Sequence, residues 1–153
     1  MTVKLRPMTG DEMDEWLAVR RGEYIADRVE IGEDADEARR IADTQYAELL
    51  PDDRPPAGQF LYRVVDDSRP VGWLWIGVRG PDPSAFWVWD VKIAESEQGK
   101  GYGRAAMLLA EDAARENGAK VLGLNVFGHN AVARHLYESM DYTTMSLQMS
   151  KDL

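Results

Sequence analysis

Between a strand pattern and a helix pattern the chain reads Val91-Lys-Ile-Ala-Glu-Ser-Glu-Gln98-Gly99-Lys100-Gly101-Tyr102-Gly103-Arg104, with three glycines at alternate positions. No other stretch narrows the possible folds as much. AFWVWDVKI (85–93) is rich in β-branched and aromatic residues and reads as a strand. From 103 to 117 the spacing predicts a helix, with Ala106, Leu109, Ala110 and Ala113 inward and Glu111, Asp112, Arg115 and Glu116 outward. Glycine lets the backbone take positive φ and approach a ligand closely. A helix N-terminus adds unpaired N–H groups and partial positive charge. A strand, a glycine turn and a helix in this order make a cradle for a phosphate or pyrophosphate.

Three phosphate-binding patterns compete for the segment. The dinucleotide fingerprint needs G-x-G-x-x-G, whereas this chain has G-x-G-x-G and no acidic residue at the expected distance. A P-loop needs Gly-Lys followed by Ser or Thr, and Lys100 is followed by Gly101. The third pattern, Gln/Arg-x-x-Gly-x-Gly, is matched by Gln98 through Gly103. A glycine-rich turn with no ligand stays open on this segment alone.

The remaining elements surround it. TVKLRPM (2–8) reads as an edge strand ending near Pro7, and Thr9 with Asp11 and Glu12 caps a first helix. Gly32 breaks that helix. A second runs from about Asp34 to Leu50, with Ile41, Tyr46 and Leu49 toward the core. QFLYRVVD (59–66) and PVGWLWIGVR (70–79) predict a hairpin. Trp73 and Trp75 alternate on one strand and Trp87 and Trp89 on the next, a pattern for cross-strand packing that also allows a tryptophan to line an acceptor pocket. KVLGLNVF (120–127) reads as a buried strand, Asn130 opens a short helix to about Met140, and YTTMSLQMSKDL predicts one or two closing strands. The expected fold class is α/β (α+β): a single domain over 1–153 with a mostly antiparallel sheet of six or seven strands, about four helices, and one parallel crossover between 85 and 127.

Composition limits the chemistry. The chain has 153 residues and no cysteine, so disulfides, thiolate metal sites and a cysteine nucleophile are excluded. Its two histidines, His129 and His135, argue against a multi-histidine metal site, and no metal is expected. No apolar run reaches the length of a membrane span and the N-terminus has no signal-peptide core, so a cytoplasmic protein without a membrane partner is expected. The net charge of −9 is concentrated in residues 9–53, with 15 Asp/Glu against 5 Arg. That argues against a nucleic-acid surface. It leaves two readings for the acidic third: a solvated face, or a face that attracts a cationic partner.

A second element follows the glycine segment. In NVFGHNAVARHLYESMDY (125–142), Asn130, Ala133, Tyr137 and Met140 fall on one helical stripe. A tyrosine there is more often core packing than a hydroxyl at a site edge, and both readings stay open at this point. The two elements, in this order and about 30 residues apart, resemble the GNAT acetyltransferases. The likeness covers the chain in element order and residues 85–142 in motif detail. Two departures are Asp141, where the family usually has glycine, and Glu95, where many members have proline.

The resemblance implies acetyl-CoA as cosubstrate and transfer of its acetyl group to a primary amine of a small molecule, peptide or protein. It implies a sheet that splays to admit the cosubstrate, with the backbone of Val91, Lys92 and Ile93 pairing with pantetheine like an added strand. It implies that the amides of Gln98, Gly99, Lys100, Gly101, Tyr102, Gly103 and Arg104 hold the pyrophosphate, with Lys100 and Arg104 adding charge or staying solvated. Asn130 would bond the pantetheine arm or a water, and Tyr137 would protonate the departing thiolate. A neutral amine attacks the thioester, and Asp90, then His129, are the candidates to accept its proton. The rivals are an acyl-CoA-binding regulatory module without turnover and a nucleotide-binding interaction domain. The acceptor and the choice between monomer and homodimer stay open.

Overall fold

Thr9 ends the first strand and begins the first helix. Its hydroxyl accepts from the Glu12 amide while the Glu12 carboxylate accepts from the Thr9 amide, a reciprocal capping box. The computed structural model describes residues 1–153 and places β1 at Val3–Pro7 and α1 at Gly10–Glu30. The Arg6 guanidinium donates to both Glu12 oxygens at 2.8 and 2.9 Å. With the Thr9 amide it holds the Glu12 carboxyl down at about 2. Thr9→Ala is expected to cost about 1 kcal/mol by orphaning a first-turn amide, measured as a lower urea midpoint at unchanged slope.

Gly32, at φ 103°, separates α1 from α2 (Ala35–Leu49), whose cap Asp34 accepts from the Asp36 and Glu37 amides. Tyr46 and Leu49 of α2 pack against the core as the sequence leads one to expect, but the buried face is wider. Ala38 and Ala42 are its fully buried residues, whereas Ile41, Tyr46 and Leu49 are half-buried. Small side chains occupy the tightest contact, and the larger ones lie beside it.

The sheet has five strands in the order β1-β2-β3-β4-β5: β2 Gln59–Asp66, β3 Arg69–Val78, β4 Ala85–Ile93 and β5 Val121–Leu124. The first four pair antiparallel in sequence order. Asp67 takes φ 54° in the β2–β3 turn, a conformation aspartate tolerates better than most residues. After β4 the chain crosses through α3 (Tyr102–Glu116) and returns in β5 beside β4, making a mixed sheet. β3 and β4 approach so closely at Gly72 that a Cβ there would lie 2.2 Å from the Lys92 carbonyl oxygen.

Each sheet face has its own core. On one, Trp16, Leu50, Leu61 and Trp75 are buried together with Met8. On the other, α3 packs against β1, β3 and β4, and Leu74 and Ile76 are completely buried. The buried stripe of α3 is Tyr102, Ala106, Met107, Ala110 and Ala114, one position off the predicted one at its C-terminal end. Leu109 and Ala113 are only half-buried.

The sheet is smaller than the sequence predicts. β5 covers four residues of the eight expected, and its first, Val121, is 63% exposed. The 142–153 tail forms no strand. Its alternation of Met145, Leu147 and Met149 fits a strand template, but those side chains are exposed and the segment pairs with no strand. A period of two specifies a face only where a partner strand exists.

Residues Met1–Gly123 form one compact unit and Leu124–Leu153 a second. In the second, Asn130 caps α4 (Ala131–Ser139) by accepting from the Ala133 amide at 3.2 Å. Asp141 terminates it at φ 69°, the left-handed role expected for aspartate in place of glycine. No helix is long and apolar enough to cross a membrane.

Candidate active site

The glycine loop leaves β4 through a 3₁₀ turn at Glu95–Glu97, formed without the proline that the resemblance leads one to expect. Gly99 and Gly101 take φ 78° and 88°, so an L side chain at either is strained. Gly101 caps α3, and the first helical bond runs from the Ala105 amide to its carbonyl at 3.2 Å. The Tyr102 and Gly103 amides precede that bond and have no intrahelical acceptor. A Cβ at Gly99 would meet nothing within 4 Å, so the loop faces open space there. Bent glycines, first-turn amides and open space fit a pyrophosphate.

Side chains hold this loop in shape. The Gln98 amide donates to the Glu95 carbonyl at 3.3 Å, and its side chain donates to the Ile93 carbonyl at 3.0 Å. Gln98 therefore braces the turn. The Tyr102 ring is buried, and its hydroxyl donates to Asp66 at the end of β2. Arg69 and Lys100 both pair with Glu97, which holds the Glu97 carboxyl below its ordinary value. Lys100 thus begins from an ion pair at the loop's edge.

The β4 end near Val91 outruns its neighbour. The Lys120 and Val121 amides donate to Ser84, just before β4 begins. β5 then runs for only four residues, while β4 continues to Ile93. On its other side this end of β4 pairs with β3, Val91 opposite Leu74 and Lys92 opposite Trp73.

The register between β3 and β4 shifts at Trp89: Ile76 lies opposite Val88, and Trp75 opposite Asp90. The extra residue is a bulge, which sets consecutive side chains on one side of a strand. Trp89 and Asp90 therefore both line a cavity of about 180 Å³ on the α1/α2 side of the sheet. Trp75, Tyr46, Tyr24 and Leu49 form its other walls, with Arg20 and Gln45. The tryptophans do pack across strands as expected, Trp75 against Trp89 at 5.6 Å, and along β4 Trp87 meets Trp89 at 6.5 Å.

Asp90 is the charged centre of this cavity, its side chain 11% exposed. One oxygen, Oδ2, accepts from Trp73 Nε1 at 2.6 Å and Trp16 Nε1 at 3.3 Å, and forms an ion pair with the Arg20 guanidinium at 2.9 Å. Oδ1 accepts no hydrogen bond from the protein. Burial pushes the Asp90 carboxyl above its ordinary value, while Arg20 and the two indoles pull it back. Arg20 also pairs with Glu23, which pairs with Lys92. Burial pushes the Tyr46 hydroxyl up to about 12, so it stays a neutral phenol. The Trp89 indole N–H is buried without an acceptor.

Sequence reasoning missed Arg20, Trp16 and Tyr46 as neighbours of Asp90. The acidic third that it singled out is ion-paired in part, as in Arg28–Glu33, Arg39–Asp36 and Arg40–Glu37. In the second unit His129 is exposed in a turn and stacks on Phe127 at 5.7 Å. Tyr137 is half-buried and meets Tyr142 edge-on at 5.9 Å. No group of acidic and histidine side chains is arranged to hold a metal ion.

A mixed sheet, a β4 that outruns β5, and a glycine loop opening α3 define an acetyltransferase fold. The profile described as Acetyltransferase (GNAT) family matches residues 15–142. Over its full length the chain is 32% identical to "Uncharacterized N-acetyltransferase YycN" of Bacillus subtilis strain 168, covering all of that protein. It is 27% identical to "Uncharacterized N-acetyltransferase YdgE" of the same strain, covering 99% of it. The crystal structure of Bacillus subtilis YycN superposes with a TM-score of 0.87 at 30% identity, covering 99% of each chain. The chain belongs to the GNAT family and is an acetyl-CoA-dependent acyltransferase of the N-acetyltransferase type.

Proposed function

We propose that the chain, acting as one domain over 1–153, moves an acetyl group from acetyl-CoA to a primary amine by direct attack. The observation that carries this reading is the buried Asp90 carboxylate, with one oxygen unbonded, on the strand that leads into the glycine loop. The amine nitrogen forms a bond to the thioester carbonyl carbon, the C–S bond breaks, the nitrogen loses one proton and the sulfur gains one. Asp90 receives the nitrogen's proton, and its raised pKa brings it nearer to the amine's. Tyr137 supplies the sulfur's proton. The Val91–Ile93 edge and the amides of Gly99–Arg104 hold the cosubstrate, with Lys100 and Arg104 adding charge and Asn130 bonding the pantetheine arm. A backbone N–H near Val91 meets the oxyanion.

Thiol release from acetyl-CoA against a panel of amines tests this. Release should require an acceptor, rise with pH, and lose that rise in Asp90→Asn. Acetyl-CoA binding with no acceptor-dependent release would instead establish the regulatory-module reading.

A further inference from the structure

We infer that the cavity between β3–β4 and α1–α2 binds the acceptor, and that the acceptor is a small monoamine carried on one aromatic ring or a short alkyl chain. This rests on the acetyl-transfer reading above and specifies its substrate class. Size is the first argument. An apolar cavity of about 150 Å³ takes benzene, so about 180 Å³ matches one ring or a few methylenes. The walls are the second. Trp75 lies 5.6 Å from Trp89 and 6.3 Å from Tyr46, and Tyr46 lies 6.0 Å from Tyr24, a continuous aromatic surface. Such rings attract both an apolar body and a cation within about 6 Å.

Charge is the third argument, and it favours one ammonium over several. Glu23 is engaged by Arg20 and Lys92, and Asp90 Oδ2 by Arg20 and two indoles. The cavity therefore presents a single carboxylate oxygen, Asp90 Oδ1, with room for one amine donor. The amine enters as its ammonium, gives its surplus proton through Asp90 to solvent, and is left neutral beside the end of β4. Within the cavity, further ammonium groups of a polyamine would meet Arg20 and no second carboxylate.

The test compares benzylamine, phenethylamine and hexylamine with spermidine and neamine as acceptors. Gln45→Trp is the diagnostic variant, because Gln45 is exposed at the cavity rim and its replacement should obstruct the mouth without disturbing the core. The monoamines should exceed spermidine and neamine at least about tenfold in kcat/KM. Gln45→Trp should raise their KM about tenfold or more while leaving the acetyl-CoA-induced rise in melting temperature unchanged. They should also quench tryptophan fluorescence in the wild type and not in Gln45→Trp. Equal or better turnover of spermidine or neamine, or monoamine kinetics indifferent to Gln45→Trp, overturns this inference and leaves acetyl transfer standing. Absence of thiol release with every amine overturns acetyl transfer, and the acceptor assignment with it.

Discussion

Gly101→Val is expected to abolish the stabilisation that acetyl-CoA gives the wild-type protein. Gly101 takes φ 88° as the cap of α3, and a β-branched residue is a genuine outlier at such an angle. Restoring an allowed φ turns the first amides of the helix away from their present direction. A ligand selective for the folded state stabilises by about 2.7 kcal/mol at a hundred times its Kd. For a chain of this size that corresponds to a rise of several degrees in melting temperature. Gly101→Val alone should cost about 1–3 kcal/mol through backbone strain, so the variant melts earlier but cooperatively. The discriminating measurement is the further change on adding acetyl-CoA. If the variant gains as many degrees as the wild type, the loop does not hold the cosubstrate.

That loop was legible in the sequence because glycine at a left-handed position is a backbone requirement, and a backbone requirement is written in the residue itself. The caps at Thr9, Asp34 and Asn130 were legible for the same reason, since each places a short polar side chain where a helix amide needs an acceptor. Asp90 was harder. Strict alternation along β4 would set Trp89 and Asp90 on opposite faces, and only the extra residue in the register places both in one cavity. Nothing in AFWVWDVKI marks a bulge, which is decided by the pairing with β3. Arg20 was hidden by distance: its partner is 70 residues away in the chain, and one arginine among the five in an acidic segment carries no local signal. The net charge of that segment is legible, but it counts carboxylates without showing which are already paired. The tail shows the limit of periodicity, since Met145, Leu147 and Met149 satisfy the alternation with no neighbouring strand to use it.

Tyr137→Phe is expected to leave folding and acetyl-CoA binding near normal while lowering turnover at least about tenfold, within or below the 10²–10⁴ range of general acids. Tyr137 lies on α4, on the stripe shared with Ala133 and Asn130, the residue that caps the helix. The ring packs edge-on against Tyr142 in the same unit, and phenylalanine preserves that contact. What is lost is the hydroxyl. A free thiol of the cysteine type titrates near 8.5, so an unassisted thiolate is only a moderate leaving group at neutral pH, and a proton delivered as the C–S bond breaks lowers the barrier. Water can deliver part of that proton, which sets the tenfold lower bound. The contrast between kcat and affinity decides the role. Turnover indifferent to the substitution makes Tyr137 a packing residue of α4. A collapse of acetyl-CoA affinity with turnover per bound complex preserved makes it a binding residue. A fall in kcat at unchanged affinity, steepest as pH rises and protonated water becomes scarce, is the signature of a proton donor at the departing sulfur.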